Sequence, residues 1–152
     1  MGSKRITIST AGVVSKIEEF TKSKEKFKLA ISLNGTTNEQ RTSIMPINIK
    51  NSLDELLNVA RKYTETVNRW LTFEYVLLKE INDSIEDAKR LLSMLAGMKK
   101  CKLNIIPYNE TDGEFRRPDK DQIENFVIAL RPAKFPITIR WSKGTDIDLS
   151  LI

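Results

Sequence analysis

The sequence predicts an α/β fold in which strands alternate with helices and a mainly parallel sheet carries the helices against it. Three observations predict this. Short β-branched runs alternate with segments whose apolar residues recur at helical spacing. Turn and capping residues separate the two kinds of segment. Hydrophobic residues make up 40% and charged residues 30% of 152 positions, an ordinary composition for one domain with a packed core.

The elements follow in order. Ile6-Thr7-Ile8-Ser9-Thr10 is β-branched and alternating, a short strand. Ser15-Lys16-Ile17-Glu18 has the capping-box pattern and predicts a helix running to about Lys22. Leu29-Ala30-Ile31-Ser32-Leu33 is an apolar strand, turned by Asn34-Gly35. A short helix over 37–45 is stopped by Pro46. Ser52-Leu53-Asp54-Glu55 is a second capping box, followed by Leu53, Leu56, Leu57 and Ala60 on one helix face. Residues 71–78, Leu-Thr-Phe-Glu-Tyr-Val-Leu-Leu, are the strongest strand signal. Asn82-Asp83-Ser84 opens a helix whose Ile85, Ala88, Leu91, Leu92 and Leu95 share a side. Leu103-Asn104-Ile105-Ile106 is a strand ending at Pro107, residues 119–129 are helical, and residues 136–141 form the last strand.

The order is therefore β-α-β-α-α-β-α-β-α-β. Parallel strands need crossover connections, and those crossovers are right-handed. An open doubly wound sheet and a segment of a (β/α) barrel both satisfy the pattern. No repeat, low-complexity tract or linker divides residues 1–152, which read as one unit.

Absences narrow the chemistry. With no histidine the chain offers no Ser-His-Asp or Cys-His pair and no imidazole base. Its single cysteine, Cys101, cannot hold an iron–sulfur cluster by the usual set of thiolates, and suggests a reducing cytoplasm. No window approaches the ~18 apolar residues of a membrane span, and Met1 to Ile6 has no apolar signal region. The net charge of +5, with lysines crowded between Lys16 and Lys28 and at Lys99, Lys100 and Lys102, suits phosphate but equally suits solvated surface.

Ligands of parallel α/β sheets meet the C-terminal ends of the strands. That rule selects Ser9-Thr10, Ser32-Leu33-Asn34, the segment after Leu78, Tyr108-Asn109 and the residues after Trp141. Ser and Asn also end strands simply to make turns, yet several converge on one edge. Asp146 and Asp148, two apart, could share a strand face as an acid–base pair or belong to a polar tail. Glu74 either needs a partner inside or faces water on an open edge.

Several strings, taken in order, resemble one family. They are residues 5–14 (Arg-Ile-Thr-Ile-Ser-Thr-Ala-Gly-Val-Val), Leu29-Ala30-Ile31-Ser32-Leu33, Met45-Pro46-Ile47-Asn48, and Phe73-Glu74-Tyr75-Val76-Leu77-Leu78 with Asn82-Asp83-Ser84. Residues 101–109 (Cys-Lys-Leu-Asn-Ile-Ile-Pro-Tyr-Asn) and Gly144 with Asp146-Ile147-Asp148 complete the set. The chain resembles, over essentially its whole length, the radical SAM RNA methyltransferases of the RlmN type, relatives of the Cfr methylases. The resemblance implies methylation at C2 of an adenine in 23S rRNA, and of certain tRNAs, by an enzyme using S-adenosylmethionine and a 4Fe-4S cluster. It also implies an incomplete (β/α) barrel, with five mainly parallel strands alternating with helices. Such enzymes hold the cluster in a C-x3-C-x2-C loop and carry a methyl group on a cysteine near the C-terminus.

Residue by residue, Ser9 matches a serine that contacts S-adenosylmethionine. Ser32, Leu33 and Asn34 match a Ser-Leu-His cofactor segment, with Asn34 in place of histidine, and Asn109 matches the last residue of an Ile-Pro-Tyr-Asn motif. No residue takes a catalytic or metal-binding role by this match. Residues 1–152 correspond to the C-terminal part of the barrel, without the cluster-binding half, and Leu151 stands where the methyl-carrying cysteine belongs. The expectation is a cytoplasmic fragment of such an enzyme, inactive alone. Its partners would be 23S rRNA and tRNA, with no membrane, and a complementing N-terminal half could supply the cluster. A non-catalytic RNA- or partner-binding module is the alternative. Without the opening strands, an apolar edge and inner sheet face would be left wet, at ~25 cal/mol per Å².

Overall fold

A computed structural model describes residues 7–23, 28–67, 69–110, 113–140 and 146–148. Arg5, Ile6, Trp141, Gly144 and Leu151 lie outside the described residues. The order is β1 (Thr7–Thr10), α1 (Val14–Lys22), β2 (Lys28–Ser32), α2 (Asn38–Ile44), a 3-10 turn (Pro46–Ile49), α3 (Leu53–Val67), β3 (Leu71–Leu77), α4 (Ile85–Leu95), β4 (Cys101–Pro107), α5 (Lys120–Ala129), β5 (Ile137–Arg140) and β6 (Asp146–Asp148).

The sheet runs β1-β2-β3-β4-β5-β6 in space as in sequence. Strands β1 to β5 are parallel, as expected. This unreversed order is that of a barrel segment. A doubly wound sheet would turn back on itself at a switch point. β6 departs from the expected set: Asp146–Asp148 is a strand rather than a tail, and it pairs antiparallel to β5 with Ile147 opposite Ile139.

Alternation along the strands gives the two faces different jobs. Leu71, Phe73, Tyr75 and Leu77 of β3 are buried, in one cluster with Ile17 of α1, Leu56 and Tyr63 of α3, Leu91 of α4 and Phe126 of α5. The helices thus cover one face. On the other, Thr72 and Glu74 stand beside Lys102 and Asn104, with Ser9 and Ala30 on one side and Thr138 on the other. That open face is largely polar. Glu74 lies on it, on a strand flanked by β2 and β4, not at an edge.

One of the two capping boxes expected from the sequence forms, and the helix that Asn82-Asp83-Ser84 opens carries another. Ser52 and Glu55 exchange backbone hydrogen bonds with each other, and Ser84 does so with Asp87. Ser15 does not cap α1. That helix begins two residues earlier than a Ser15 cap would set it, with Val13 at the cap position and no side-chain cap. The Val14 N–H instead donates to Asn51 Oδ1 at 2.9 Å, and the hydroxyl oxygen of Thr10 accepts from Gly12 and Val13. A partner far along the chain supplies what Ser15 was expected to supply.

Candidate functional site at the C-terminal edge of the sheet

Because the first five strands are parallel, their C-terminal ends share one edge. Ser32, the last residue of β2, is in register with Glu74, which neighbours Asn104, which in turn faces Thr138. The Thr138 hydroxyl donates to Asn104 Oδ1 at 3.1 Å. Arg140 Nη1 stands 3.9 Å from Glu74 Oε2, with the two side chains 39% and 23% exposed. A long, partly wet ion pair of this kind contributes about 1 kcal/mol at most. It leaves Glu74 able to exchange partners. Ser9 is exposed on the same face, opposite Ala30 of β2.

The segment after β2 divides its roles. Ser32 is half-buried on the open face. Leu33 packs its side chain fully into the core, while its N–H donates to the Glu74 carbonyl at 2.8 Å. Asn34 takes φ of 54°, a left-handed conformation that asparagine tolerates better than most residues. Its Oδ1 accepts from Val76 N at 2.8 Å, and its Nδ2 donates to the Met45 thioether at 3.5 Å, a weak acceptor. Asn82, fully buried, completes the brace: its Nδ2 donates to the carbonyls of Asn34 and Val76, and its Oδ1 accepts from Leu78 N. Beyond the end of β2, these two asparagine side chains satisfy the Val76 backbone. Asn109 lies exposed just past β4, beside Tyr108, whose ring meets Phe115 edge-on at 5.8 Å.

Beneath the edge is a feature absent from the sequence reading. Arg41 of α2 is fully buried and donates to the backbone carbonyls of Ala11, Ser32 and Leu33 and to Asn48 Oδ1. Burial pulls its pKa down to about 10, so it stays charged at neutral pH. Nothing in the polar string Asn38-Glu39-Gln40-Arg41-Thr42 announces this. The one available signal was Gly12, whose φ of +102° excludes a side chain where one would meet Arg41 Nη2. A second network surrounds Asp87, whose carboxylate accepts from Thr36, Gln40, Ser84 and Arg90.

An iron–sulfur cluster does not fit the described residues. Cys101 is buried at the start of β4, the far end of that strand from Asn109, and burial pushes its thiol up to about 11. No group of three His, Cys, Asp or Glu side chains able to hold a metal occurs among the described residues. The hydroxyl and amide groups of Ser9, Ser32, Asn34 and Asn109 do suit a polar, amino-acid-bearing nucleoside.

Comparison with known proteins finds relatives along most of the chain. No protein-family model matches the chain. It is 40% identical over 149 residues to a probable dual-specificity RNA methyltransferase RlmN from Leptospira biflexa, covering 97% of this chain and 42% of that protein. A protein of the same description from Clostridium novyi is 43% identical, with 97% of this chain and 43% of the relative covered. A crystal structure of a radical SAM methyltransferase from Sphaerobacter thermophilus superposes with a TM-score of 0.88 at 36% identity, over 93% of this chain and 42% of that one. The chain matches a C-terminal part of the RlmN proteins.

The chain spans about two-fifths of the length of the RlmN relatives it matches. The parallel-strand, partial-barrel expectation agrees with the Sphaerobacter structure. A domain of a pyruvate-formate lyase-activating enzyme from Bacteroides vulgatus, at 14% identity and a TM-score of 0.67 over 86% of this chain and 79% of that one, shares the fold. No helix among the described residues is long and apolar enough to cross a membrane.

Proposed function

We propose that residues 1–152 form a single unit, the S-adenosylmethionine-holding side of an RlmN-type radical SAM RNA methyltransferase acting in the cytoplasm on adenine in 23S rRNA and tRNA. The observation that carries this is the placement of Ser9, Ser32, Asn34 and Asn109 near the C-terminal ends of β1, β2 and β4, on one edge of a parallel sheet with a polar open face. Ser9 and Ser32 each offer a hydroxyl that donates and accepts, suited to a ribose or an α-carboxylate. Asn34 offers its Nδ2, held in place because its Oδ1 is committed to Val76 N. Leu33 serves through its backbone and its packing, since its side chain is in the core. S-adenosylmethionine supplies the methyl group; the residues of this chain bind and orient it. The described residues offer no seat for the cluster, which a cysteine-bearing half would hold.

Calorimetric titration of the chain with S-adenosylmethionine and S-adenosylhomocysteine tests the reading. Saturable binding that Ser32→Ala weakens supports it, and no binding of either ligand overturns it. The chain alone should form no 2-methyladenine in RNA. Mixing it with a chain that carries the C-x3-C-x2-C loop and the methyl-carrying cysteine should restore the product.

A further inference from the structure

We infer that Arg41 is a positioning residue: its guanidinium locks the loop after β1 to the loop after β2, and so fixes the spacing of Ser9 and Ser32 across the cofactor edge. The inference rests on the reading that this edge holds S-adenosylmethionine. Its support is geometric. Nη2 donates to the Ala11 carbonyl at 2.6 Å and to the Ser32 carbonyl at 3.0 Å, so one nitrogen joins the loop after β1 to the end of β2. Nε donates to the Leu33 carbonyl at 2.9 Å, and Nη1 to Asn48 Oδ1 at 3.1 Å. A rigid, planar fork can reach acceptors in these different directions, and a lysine ammonium on a flexible stem cannot.

The seat is built for it. A Cβ at Gly12 would stand 2.5 Å from Nη2, and one at Gly35 would stand 3.0 Å from the Arg41 backbone nitrogen. Arg41 is not among the ion pairs formed between described residues, so its charge rests on neutral carbonyl and amide dipoles. An apolar side chain would fill a buried position in α2 without the desolvation that a guanidinium suffers. What the arginine adds is a connection between two strand ends, both carrying residues of the cofactor edge.

The test compares Arg41→Lys with Leu95→Ala, a core substitution at the far end of α4, under conditions chosen so that both have lost similar thermal stability. Arg41→Lys should weaken S-adenosylmethionine binding about tenfold or more, the scale of a lost charged hydrogen bond, while Leu95→Ala leaves it unchanged. Amide exchange in segments 9–13 and 32–36 should accelerate together in the arginine variant, with β3 and β4 still protected. Unchanged affinity, or loosening of only one segment, overturns the inference. In the unaltered chain, the Arg41 Nε–H resonance should shift saturably with added S-adenosylmethionine, which needs no variant to fold; binding without that shift also overturns it. If the unaltered chain binds no S-adenosylmethionine, the site reading falls, and the exchange of the two segments still decides whether Arg41 couples them.

Discussion

Replacing Asn82 by alanine tests how the second strand end is held. The side chain is fully buried and makes three hydrogen bonds: to the Asn34 carbonyl at 3.1 Å, to the Val76 carbonyl at 2.8 Å, and from Leu78 N at 2.7 Å. Leu78 is itself 2% exposed, so water does not replace the lost acceptor there. Each buried group left without a partner costs about 1–3 kcal/mol, and the two carbonyls tolerate loss better than the lone N–H, so the sum is about 3–5 kcal/mol. That is a large share of a small domain's stability of about 5–15 kcal/mol. Urea unfolding at pH 7, followed by far-UV circular dichroism, measures it. Asn82→Asp is the companion: it keeps the shape and the acceptor but sets an oxygen against two carbonyls. Its folded pKa should rise above the unfolded value, so the charge-dependent part of its penalty is absent below about pH 4 and complete once pH exceeds the folded pKa. A loss below about 1 kcal/mol for the alanine variant would refute the reasoning, because it would mean the three groups find other partners.

Four further predictions concern single groups. Burial opposes the charge of Asp87, but hydrogen bonds from Thr36, Gln40, Ser84 and Arg90 outweigh it and hold the carboxyl below the usual carboxylate range, whereas Asp83 is raised, chiefly by burial. The depressed Asp87 contributes stability above its unfolded pKa and loses it as pH falls through the folded one. Asp87→Asn should therefore cost about 1–3 kcal/mol at pH 7 and progressively less below about pH 4. Asp83→Asn should do the reverse, stabilising at pH 7 with no effect in acid, as paired pH–urea titrations would report. Gly12→Ala, at φ +102° and against Arg41, should cost about 2 kcal/mol or more, and a thermal melt unchanged from the parent would contradict it. Cys101, buried with its thiol up at about 11, should react with a thiol reagent only as fast as the chain opens; rapid labelling of the native chain would show otherwise.

Most elements were legible locally. The β-branched run at Thr7, the Leu71-to-Leu77 alternation and the apolar faces behind Ser52 and Ser84 carry their own periodicity, and periodicity is a property of neighbours in sequence. The strand-end serines and asparagines were legible too, because parallel strands leave one edge for ligands and Ser and Asn stand out there. Capping by Ser15 was not decidable in that way. Serine followed by an acidic residue three positions on permits the box but does not fix where the chain enters the helix; Asn51, from another part of the chain, holds the Val14 N–H instead.

By itself, the sequence determined the alternation of elements, the absence of histidine, the lone cysteine and the position of polar residues at strand ends. Only the tertiary structure decided the unreversed strand order, the antiparallel sixth strand, the polar open face bearing Glu74, and the clamp at Arg41. The physical reason is range. Helix and strand propensities are set within a few residues, whereas the Arg41 guanidinium has its meaning from carbonyls up to 30 positions away, Asn82 from one 48 away, and Glu74 from a guanidinium on β5. Folding the chain brings those groups within hydrogen-bond or ion-pair distance, and no local pattern records their meeting.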